Sequence, residues 1–503
     1  MLLLNLQPAS ASPLLPSQGV REKTTPSDHT LMKKARRALR TRKLEKSVKH
    51  LQTLLTRNPT HQRAWWHLST ASLFQKDWTT MHHALTELLI LDPSNQQAKD
   101  RHAYADLRRK GFDQTLKLPP PGRPSITQST EILKTQRVTL VAGGDLHLGR
   151  ISPTGHLTVP KDGVSHWLQN IRPFIQQGEL AFANLETVLL DEGSSQKCSP
   201  RSTACSAFRV PTSFATGIGD TGFNLLSTAN NHSGDFGISG ILSTTRALNR
   251  ASTHHRKPIH HSGATGQVAT ITVRGIRISM VAFGTGSWLP YRVTEVREAT
   301  KIIRALAKQS DIVIVSVHAG AEGNRAQHVP HHRETFYGEN RGHMRHFSHG
   351  VIDAGADLVL GHGPHVLRGM ELYRDRVIAY SLGNLSSYRT LAMGHPKNIS
   401  ALLHLEIDGT GQLLLGKVIP LILSRSGRPG HDPKNRAIQR IRHLSTVDFP
   451  RSALPLDSNG VIVLKTPKAP PPNLNHPTQP PHTFSPPPAF QKELQPTGLL
   501  WLD

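Results

Sequence analysis

The sequence predicts an α/β domain preceded by a small all-α unit, and three observations lead to this prediction. Between residues 136 and 464, apolar strand-like runs alternate with helical stretches, as they do in α/β folds. Residues 29–112 instead have a helical pattern that repeats every 34 residues. In the α/β segment, polar residues suited to metal binding directly follow five apolar runs, at the strand ends where such sheets place their sites.

The composition limits the classes of protein that fit. A chain of 503 residues is long enough for two or three domains. Its 60 Lys and Arg outnumber its 35 Asp and Glu, and the formal net charge of +25 favours contact with polyanions. The cations are spread along the chain, so a solvated basic surface is an equally good interpretation. Aromatic residues make up only 5% and no nucleic-acid-binding motif is present, which argues against nucleic acid as the partner.

Cysteine usage and apolar run lengths narrow the class further. Cys198 and Cys205 are the only cysteines, which excludes a disulfide-rich scaffold and a cysteine zinc site. The two either close a small loop or remain free thiols. No apolar run approaches the length of a membrane span, so no transmembrane segment is expected. Residues 1–8 begin apolar but lack a preceding basic segment, so no clear signal peptide is expected and the compartment stays open.

Both ends of the chain and the segment between its two parts have the composition of disordered chain. Residues 1–28 are rich in Pro and Ser, residues 113–135 form a Pro-rich linker, and residues 465–503 contain repeated proline runs. Such segments cannot bury enough apolar surface to fold. The predicted order is therefore a disordered start (1–28), helical repeats (29–112), a linker (113–135), the α/β domain (136–464) and a disordered tail (465–503).

The helical repeats are defined by equivalent residues 34 positions apart. The equivalent pairs are Leu39/Leu73, Leu44/Trp78, Leu51/Leu85, Leu54/Leu88, Pro59/Pro93 and Ala64/Ala98. Pro59 and Pro93 end the second helix of each unit, because proline disfavours helix in the residue before it. The period and the closing proline resemble the tetratricopeptide repeat, although two ordinary helical hairpins would look similar. The basic run 33–43 in the first helix either faces solvent or docks an acidic surface.

The α/β domain alternates strands and helices along its length. The strand-like runs that precede the polar clusters are residues 138–142, 180–183, 223–226, 312–317 and 356–360. The helical candidates are residues 238–249, 297–308 and 343–354. Two late apolar runs, 401–407 and 412–419, flank Asp408-Gly409-Thr410-Gly411, which predicts a β-hairpin closing the sheet.

The first two polar clusters supply carboxylates. Asp145 follows two glycines that allow a tight backbone path, and His147 points to the same side if the chain stays extended. Glu186 is the natural bridge between two cations, because a carboxylate can give one oxygen to each. A lone Asp-x-His or a Glu at a strand end is common by chance, so the prediction depends on the whole series.

The other three clusters supply amide and imidazole groups. Asn231 offers an amide oxygen, and the adjacent His232 is placed to donate a proton to a leaving group. His318 ends a buried strand just before an Ala-Gly loop. His362 and His365 flank a rigid Gly-Pro turn that presents both imidazoles to one cluster. Together these groups predict two divalent metals side by side, which is a hydrolase constellation.

The order of these motifs resembles the CapA family of bacterial capsule or poly-γ-glutamate biosynthesis proteins, which is related to the calcineurin-like metallophosphatases. The resemblance covers about residues 136–425. It is carried by the segments 142–150, 183–186, 228–237, 317–322, 353–366 and 379–384. It implies a metallophosphatase-like layered αββα sandwich with a dinuclear metal site at its strand ends.

The resemblance also implies roles for individual residues. Asp145, His147, Glu186 and His365 would hold one metal. Glu186, Asn231, His318 and His362 would hold the second. His232 would be the general acid, and the two cations would activate the attacking water. Two motifs depart from the wider metallophosphatase pattern, since 184–186 is Asn-Leu-Glu in place of Gly-Asp-x-x-Asp and 362–365 is His-Gly-Pro-His in place of His-x-His. Phosphoester chemistry therefore does not transfer automatically.

Two functional hypotheses follow. The first is a metal-dependent hydrolase that acts on a phosphoester or on an anionic polymer such as poly-γ-glutamate, with manganese, iron or zinc as the two divalent ions. The second is a non-catalytic, polyanion-binding or scaffold component of a capsule polymer synthesis or export complex, in which the helical repeats dock a protein partner. The resemblance suggests the cell envelope as the location.

Overall fold

The computed structural model of the chain describes residues 26–117, 132–151, 155–198, 205–252, 257–391 and 393–464. The chain divides into two compact units, Met1–Ser94 and Asn95–Asp503. The predicted disordered tail and most of the predicted disordered start and linker lie outside the described residues. Within the described ranges, no helix is both long enough and apolar enough to cross a lipid bilayer.

The first unit contains four helices with the predicted spacing. They are α1 Asp28–Arg40, α2 Leu44–Arg57, α3 Gln62–Gln75 and α4 Trp78–Leu91. Helices α1 and α3 begin at residues 28 and 62, and α2 and α4 at residues 44 and 78, so both pairs of starts are 34 residues apart. The equivalent residues Leu51 and Leu85 are both fully buried between the helices. The predicted helical repeat is therefore confirmed.

A fifth helix continues the repeat spacing but belongs to the second unit. Helix α5, Gln96–Lys117, begins 34 residues after α3. It packs against the helix Gly237–Ser252, and Asp100 accepts a hydrogen bond of 2.8 Å from the Ser239 hydroxyl. The end of the repeats at residue 112 remains a prediction, because the spacing alone does not say which unit buries a helix.

The second unit is built on strands that form two large sheets and three small two-stranded ones. In chain order the strands are β1 Arg137–His147, β2 Arg150–Ile151, β3 Leu157–Thr158, β4 Leu180–Leu185, β5 Val188–Leu189, β6 Arg209–Val210, β7 Leu225–Ser227, β8 His260–Ser262, β9 Ala269–Val273, β10 Ile276–Gly284, β11 Ile312–His318, β12 Thr335–Phe336, β13 Glu339–Asn340, β14 Leu358–His362, β15 Met370–Tyr373, β16 Arg376–Ala379, β17 Asn384–Ser387, β18 Ile399–Asp408, β19 Leu413–Leu423 and β20 Pro429–His431. The helices after α5 are Gly163–Trp167, Arg172–Ile175, Phe214–Thr221, Gly237–Ser252, Val296–Ala307, Met344–Asp353 and Arg436–Asp448.

The two large sheets have the strand orders β20-β19-β18-β1-β4-β7-β8, with β17 paired to β1, and β15-β16-β14-β11-β10-β9. Strands β1, β4 and β7 are parallel in the first sheet, and β10, β11 and β14 are parallel in the second. Strands β18 and β19 form the predicted antiparallel hairpin. The five predicted strands and three predicted helices are all present, with ends shifted by at most three residues, except that β1 extends five residues beyond its predicted end.

Alternating apolar side chains create the layers. Leu140 and Ile314 lie in one apolar core that joins the two sheets. Their neighbours Val141 and Val315 point to the opposite faces, because successive side chains of a strand alternate in direction. Val141 packs with helices such as Gly237–Ser252, while Val315 packs with Val296–Ala307 and Met344–Asp353. The result is the predicted layered αββα sandwich.

The parallel strands bring their carboxyl ends to one edge. Asp145 is paired with Asn184 on β4 and with Asn384 on β17. In the second sheet, His318 at the end of β11 lies beside His362 at the end of β14. Gly144 has no room for a side chain, since a Cβ there would lie 1.9 Å from the carbonyl oxygen of Gly383. The fold therefore delivers the ligand motifs of both sheets to adjacent positions.

Candidate metal centre

The structure brings five of the predicted ligands together in two overlapping triads. Asp145, Glu186 and His318 form one triad, and His147, Glu186 and His365 form the other. Within each triad, the potential ligand atoms lie within 4.8 Å of one another. All five side chains are buried. Glu186 is the shared member, the position that a bridging carboxylate would occupy.

The two carboxylate oxygens of Glu186 face different imidazoles. Its Oε2 lies 3.2 Å from Nε2 of His147. Its Oε1 lies 3.6 Å from Nε2 of His318 and 3.9 Å from Nε2 of His365. A carboxylate in this arrangement can give one oxygen to each of two cations.

Several ligand atoms in this cluster are buried and lack a hydrogen-bond partner among the described residues. They are both ring nitrogens of His147 and of His362, both oxygens of Glu186, Nε2 of His318 and Oδ1 of Asn231. Leaving so many polar atoms unpaired inside a protein is costly. A divalent cation accepts electron pairs from all of these atom types. The donor set therefore fits bound metal.

Asp145 is held in place by donors from both sheets. Its Oδ1 accepts a hydrogen bond of 2.8 Å from the Asn184 amide, and its Oδ2 accepts one of 3.2 Å from the backbone N–H of Gly363. The Asn184 amide oxygen in turn accepts from Nδ2 of Asn230 at 3.2 Å. His365 Nδ1 lies 3.0 Å from the Asn384 side-chain oxygen. These amides orient the ligands, and the sequence analysis had not assigned that role to Asn184 or Asn230.

Burial keeps three of the imidazoles neutral. It lowers the pKa of His147 to about 3 and that of His362 to about 4, and it holds the pKa of His318 well below its usual range. A neutral imidazole has a free electron pair for a metal. Burial, together with the charge of Asp145, raises the pKa of the Glu186 carboxyl well above its ordinary value. A cation beside Glu186 would remove this penalty, which again fits a metal site.

The other two predicted ligands lie beside the triads. His362 neighbours His318 across the strand pair, and its ring stacks on Phe182 with 5.2 Å between the ring centres. Asn231 donates from Nδ2 to Glu322 at 3.4 Å, which leaves its Oδ1 free for another partner. The assignment of seven ligands to two ions remains a prediction.

His232 forms a dyad with Asp235. Its Nδ1 lies 2.8 Å from Oδ2 of Asp235, and its Nε2 lies 4.0 Å from Oε1 of Glu186. Phe208 stacks on the imidazole with 4.1 Å between ring centres and accounts for part of its burial. Burial lowers the pKa of His232, although Asp235 opposes this shift. The geometry aims Nε2 at the metal cluster while the carboxylate fixes the other nitrogen.

Several side chains around the cluster had no distinct signal in the sequence. Buried Arg341 donates from Nη2 to Glu322 at 2.7 Å and from Nε to the carbonyl of Gly320 at 3.0 Å. Glu322 lies 3.7 Å from His365. Phe208 and Lys197 come from a segment that contains no recognisable motif. The spacing of Asp235 three residues after His232 was the one usable signal.

We expect the affinity of the cluster for Mn²⁺ to rise with pH, by up to about tenfold per unit between pH 6 and 8, because a ligand must lose its proton to bind metal. Burial alone would lower the pKa of His365, but the carboxylates of Glu186, Glu322 and Asp145 raise it to about 10. Below that pH, metal must displace a proton from the imidazole. Calorimetric titration with Mn²⁺ at several pH values measures the slope of the logarithm of the affinity against pH.

Two single variants test which histidine produces that slope. In His365→Ala the slope should become shallower, because the displaced proton is gone. In His362→Ala affinity should fall while the slope persists, because burial lowers the pKa of His362 to about 4 and this ring is already neutral. Equal slopes in parent and His365→Ala would contradict the expectation.

Comparisons with known proteins give matches that centre on the α/β domain. Residues 139–389, about half of the chain, match the family model for bacterial capsule synthesis protein PGA_cap. The capsule biosynthesis protein CapA of Bacillus anthracis is 23% identical over 268 residues, which are 50% of this chain and 60% of that protein. The PGA biosynthesis protein CapA of Bacillus subtilis is 29% identical over 206 residues, 38% of this chain and 50% of that protein.

Other relatives extend the match. A probable polyglutamine synthesis accessory protein of Mycobacterium tuberculosis is 26% identical over 341 residues, 63% of this chain and 82% of that protein. A crystal structure of a hypothetical protein from Thermus thermophilus aligns over 56% of this chain and 99% of that one, with 14% identity and a TM-score of 0.34. The matched part of the chain spans only 60% and 50% of the length of the two Bacillus proteins. Through residues 139–389, the chain belongs to the PGA_cap family of bacterial capsule synthesis proteins.

Proposed function

We propose that the chain is a hydrolase that depends on two divalent metal ions and acts on a phosphoester or an amide in an anionic polymer. The observation that supports this most directly is the position of Glu186, shared by both triads with both of its buried oxygens unpaired. Two related Bacillus proteins carry the names of capsule and PGA biosynthesis. Poly-γ-glutamate is therefore the first substrate to test, and the cell envelope is the proposed location.

The residues of the proposed site are either metal ligands or groups that transfer a proton. Asp145, His147, Glu186 and His365 would hold one ion, and Glu186, Asn231, His318 and His362 the other. The mixed oxygen and nitrogen donors suit manganese, iron or zinc. When bound, the two ions would supply Lewis acidity and would lower the pKa of the attacking water.

The proton-handling group is His232. Asp235 fixes its Nδ1, so the Nε2 that faces the cluster is the atom that would hand a proton to a leaving group. Burial of the five triad residues limits the access of bulk water to these ligands and strengthens the electrostatic interactions among them. Metal binding, acid catalysis and water exclusion would thus all come from residues of this chain.

The experiment that tests the proposal compares metal content and hydrolysis in three proteins. The parent, purified and loaded with Mn²⁺, should bind about two ions and hydrolyse a screen of phosphodiesters and glutamyl amides. His318→Ala should lose at least one ion and most of the activity. His349→Ala is the matched control, because this histidine pairs with Glu371 outside the cluster. The variant should change neither the metal content nor the rate of hydrolysis. Full metal occupancy in His318→Ala would refute the proposal.

A second candidate is a non-catalytic role in which the chain holds a polyanion and its repeats dock a protein partner. The supporting observation is a charge difference between the two helical hairpins. Residues 28–57 contain ten Lys and Arg against two Asp and Glu, whereas residues 62–91 contain two of each. All ten cations are exposed on α1, α2 and their connection, namely Lys33, Lys34, Arg36, Arg37, Arg40, Arg42, Lys43, Lys46, Lys49 and Arg57. Affinity for polyglutamate that survives in His318→Ala and falls with added salt would favour this role.

A further inference from the structure

Lys197 places an ammonium group beside the proposed general acid. Its Nζ lies 3.2 Å from Nδ1 of His232 and 3.2 Å from Oδ1 of Asp235. The Lys197 side chain is 36% exposed, whereas those of His232 and Asp235 are 9% and 0% exposed. The ammonium therefore contacts the dyad and belongs to a side chain that is partly exposed to solvent.

The backbone around Lys197 is fixed by several contacts. The N–H groups of Gln196 and Lys197 donate to the carbonyl of Asp235 at 2.8 and 3.3 Å, and the Ser195 hydroxyl donates to it at 3.1 Å. The next residue, Cys198, forms a disulfide with Cys205, which settles the pairing that the sequence had left open.

The segment that follows Cys205 also contacts Asp235. The Phe208 N–H donates to Oδ2 of Asp235 at 2.9 Å, and the Phe208 ring packs edge-on against His147 at 5.0 Å. Segments 195–198 and 205–208 therefore hold the dyad from two sides. A lysine on such a support is pre-positioned and loses little conformational freedom when it binds an anion.

A second cation near the cluster has a different environment. Arg341 is 1% exposed and is engaged by Glu322 and by the carbonyl of Gly320. It has no face open to a substrate. Lys197 is consequently the better placed of the two cations to meet an incoming negative charge.

We propose that Lys197 is a specificity-determining residue that binds a carboxylate on the leaving group. This inference rests on the proposed function, in which His232 protonates the leaving group. In a γ-linked glutamate amide, the leaving nitrogen sits on a carbon that also carries a free carboxylate. Hydrolysis breaks the C–N bond, adds the oxygen of water to the carbonyl carbon, and transfers a proton from His232 to the departing amine. The Lys197 ammonium, next to His232, would then pair with that carboxylate.

The test uses substrates that differ only in one carboxylate. The first pair is two aryl phosphodiesters with and without a carboxylate on the leaving ring, and the second is the corresponding pair of γ-glutamyl anilides. The Mn²⁺-loaded parent should prefer the carboxylated member of the pair that it cleaves. Lys197→Ala should lower kcat/KM for that member by about 10- to 100-fold more than for the plain member, which is the range of one charge-assisted hydrogen bond.

Conservative and control variants separate recognition from folding. Lys197→Arg should retain part of the preference for the carboxylated substrate, because the positive charge is kept. The retained preference should appear as a lower KM for that substrate. Lys301→Ala removes an exposed lysine that pairs with Glu298 on a surface helix. This variant should leave kcat/KM unchanged for both members of the pair. An equal loss for both members of a pair in Lys197→Ala would overturn the inference, because the lysine would then act only by supporting the dyad.

A measurement of binding affinity distinguishes failure of this inference from failure of the proposed function. If the parent cleaves none of the four compounds, the hydrolase proposal fails. Calorimetric affinity of the Mn²⁺-loaded protein for the carboxylated and plain compounds is then compared between parent and Lys197→Ala. Selective loss of affinity for the carboxylated compounds supports the role of Lys197 even in that case, and equal affinities refute it.

Discussion

Glu186→Gln is expected to weaken Mn²⁺ binding by more than about 100-fold and to raise the thermal stability of the metal-free protein at the same time. The first effect exceeds what loss of a supporting residue around a metal site costs, because a shared ligand is lost from both triads. The second follows from electrostatics, since burial and the charge of Asp145 disfavour the Glu186 carboxylate more than the nearby His365 favours it. Glutamine keeps the shape of the side chain and removes its charge.

The pH dependence of the stability difference has a definite sign. Burial, with the charge of Asp145, raises the folded-state pKa of Glu186 above its ordinary value of 4.5. The folded protein therefore holds a proton that the unfolded chain releases, and ionisation destabilises the fold as pH rises above 4.5. In the metal-free state, the advantage of Glu186→Gln over the parent should grow from pH 4.5 upward. Melting temperatures across this range, measured with chelator, provide the check.

Glu371 is the matched control for that experiment. It is as buried as a site residue, but its oxygens accept hydrogen bonds from His349, Tyr380 and Ser452. Burial raises its pKa, yet these hydrogen bonds outweigh burial and lower it. Its contribution to stability is present above pH 4.5 and lost as pH falls through the lowered pKa. Glu371→Gln should therefore lower stability at neutral pH and leave metal binding unchanged. Destabilisation by both variants would show that Glu186 belongs to an ordinary polar core.

The sequence was sufficient for the parts of the site that follow directly from parallel strands. Asp145 and Glu186 each come at or just after the end of a parallel strand, and so do His318 and His362 in the second sheet. Adjacent parallel strands end at one edge, so the ligands within each sheet had to be neighbours once the strands were identified, whereas the meeting of the two sheets' ligands depends on how the sheets pack. Which side chains lie between the sheets could not be predicted in the same way, because β11 is apolar almost throughout and buried along its whole length.

The groups that surround the ligands could not be located in the same way. Arg341 reaches the cluster through Glu322 from the segment after β13, and Phe208 reaches His232 from the far side of a disulfide. Neither segment is tied to a strand end, so only tertiary packing brings it to the site. Helix α5 illustrates the same limit, because its start obeys the 34-residue spacing while its buried residues pack within the second unit. The spacing of residues in the sequence predicts that a helix or strand forms, but it does not predict which part of the protein packs against it.

His232→Asn is expected to lower kcat by about 10²- to 10⁴-fold for substrates with a poor leaving group, such as an alkoxide or an amine, while Mn²⁺ content stays at the parent level. His232 lies near Glu186 but belongs to neither triad, so the ions should remain. The loss arises because such leaving groups depart only when protonated, and Nε2 is the imidazole atom that faces the cluster. Rates with single-turnover amounts of enzyme and metal analysis of the same samples measure both quantities.

The leaving group itself supplies the decisive comparison. A nitrophenolate departs without a proton, so His232→Asn should slow the hydrolysis of a nitrophenyl ester by less than about tenfold. Asp235→Asn should give an intermediate loss for the poor leaving group, because it removes the carboxylate that orients Nδ1 but leaves the imidazole in place. If His232→Asn slowed good and poor leaving groups alike, the imidazole would be acting on the ground state or on the shape of the site. If the variant lost metal as well, His232 would be a ligand, and the proton for the leaving group would have to come from another residue.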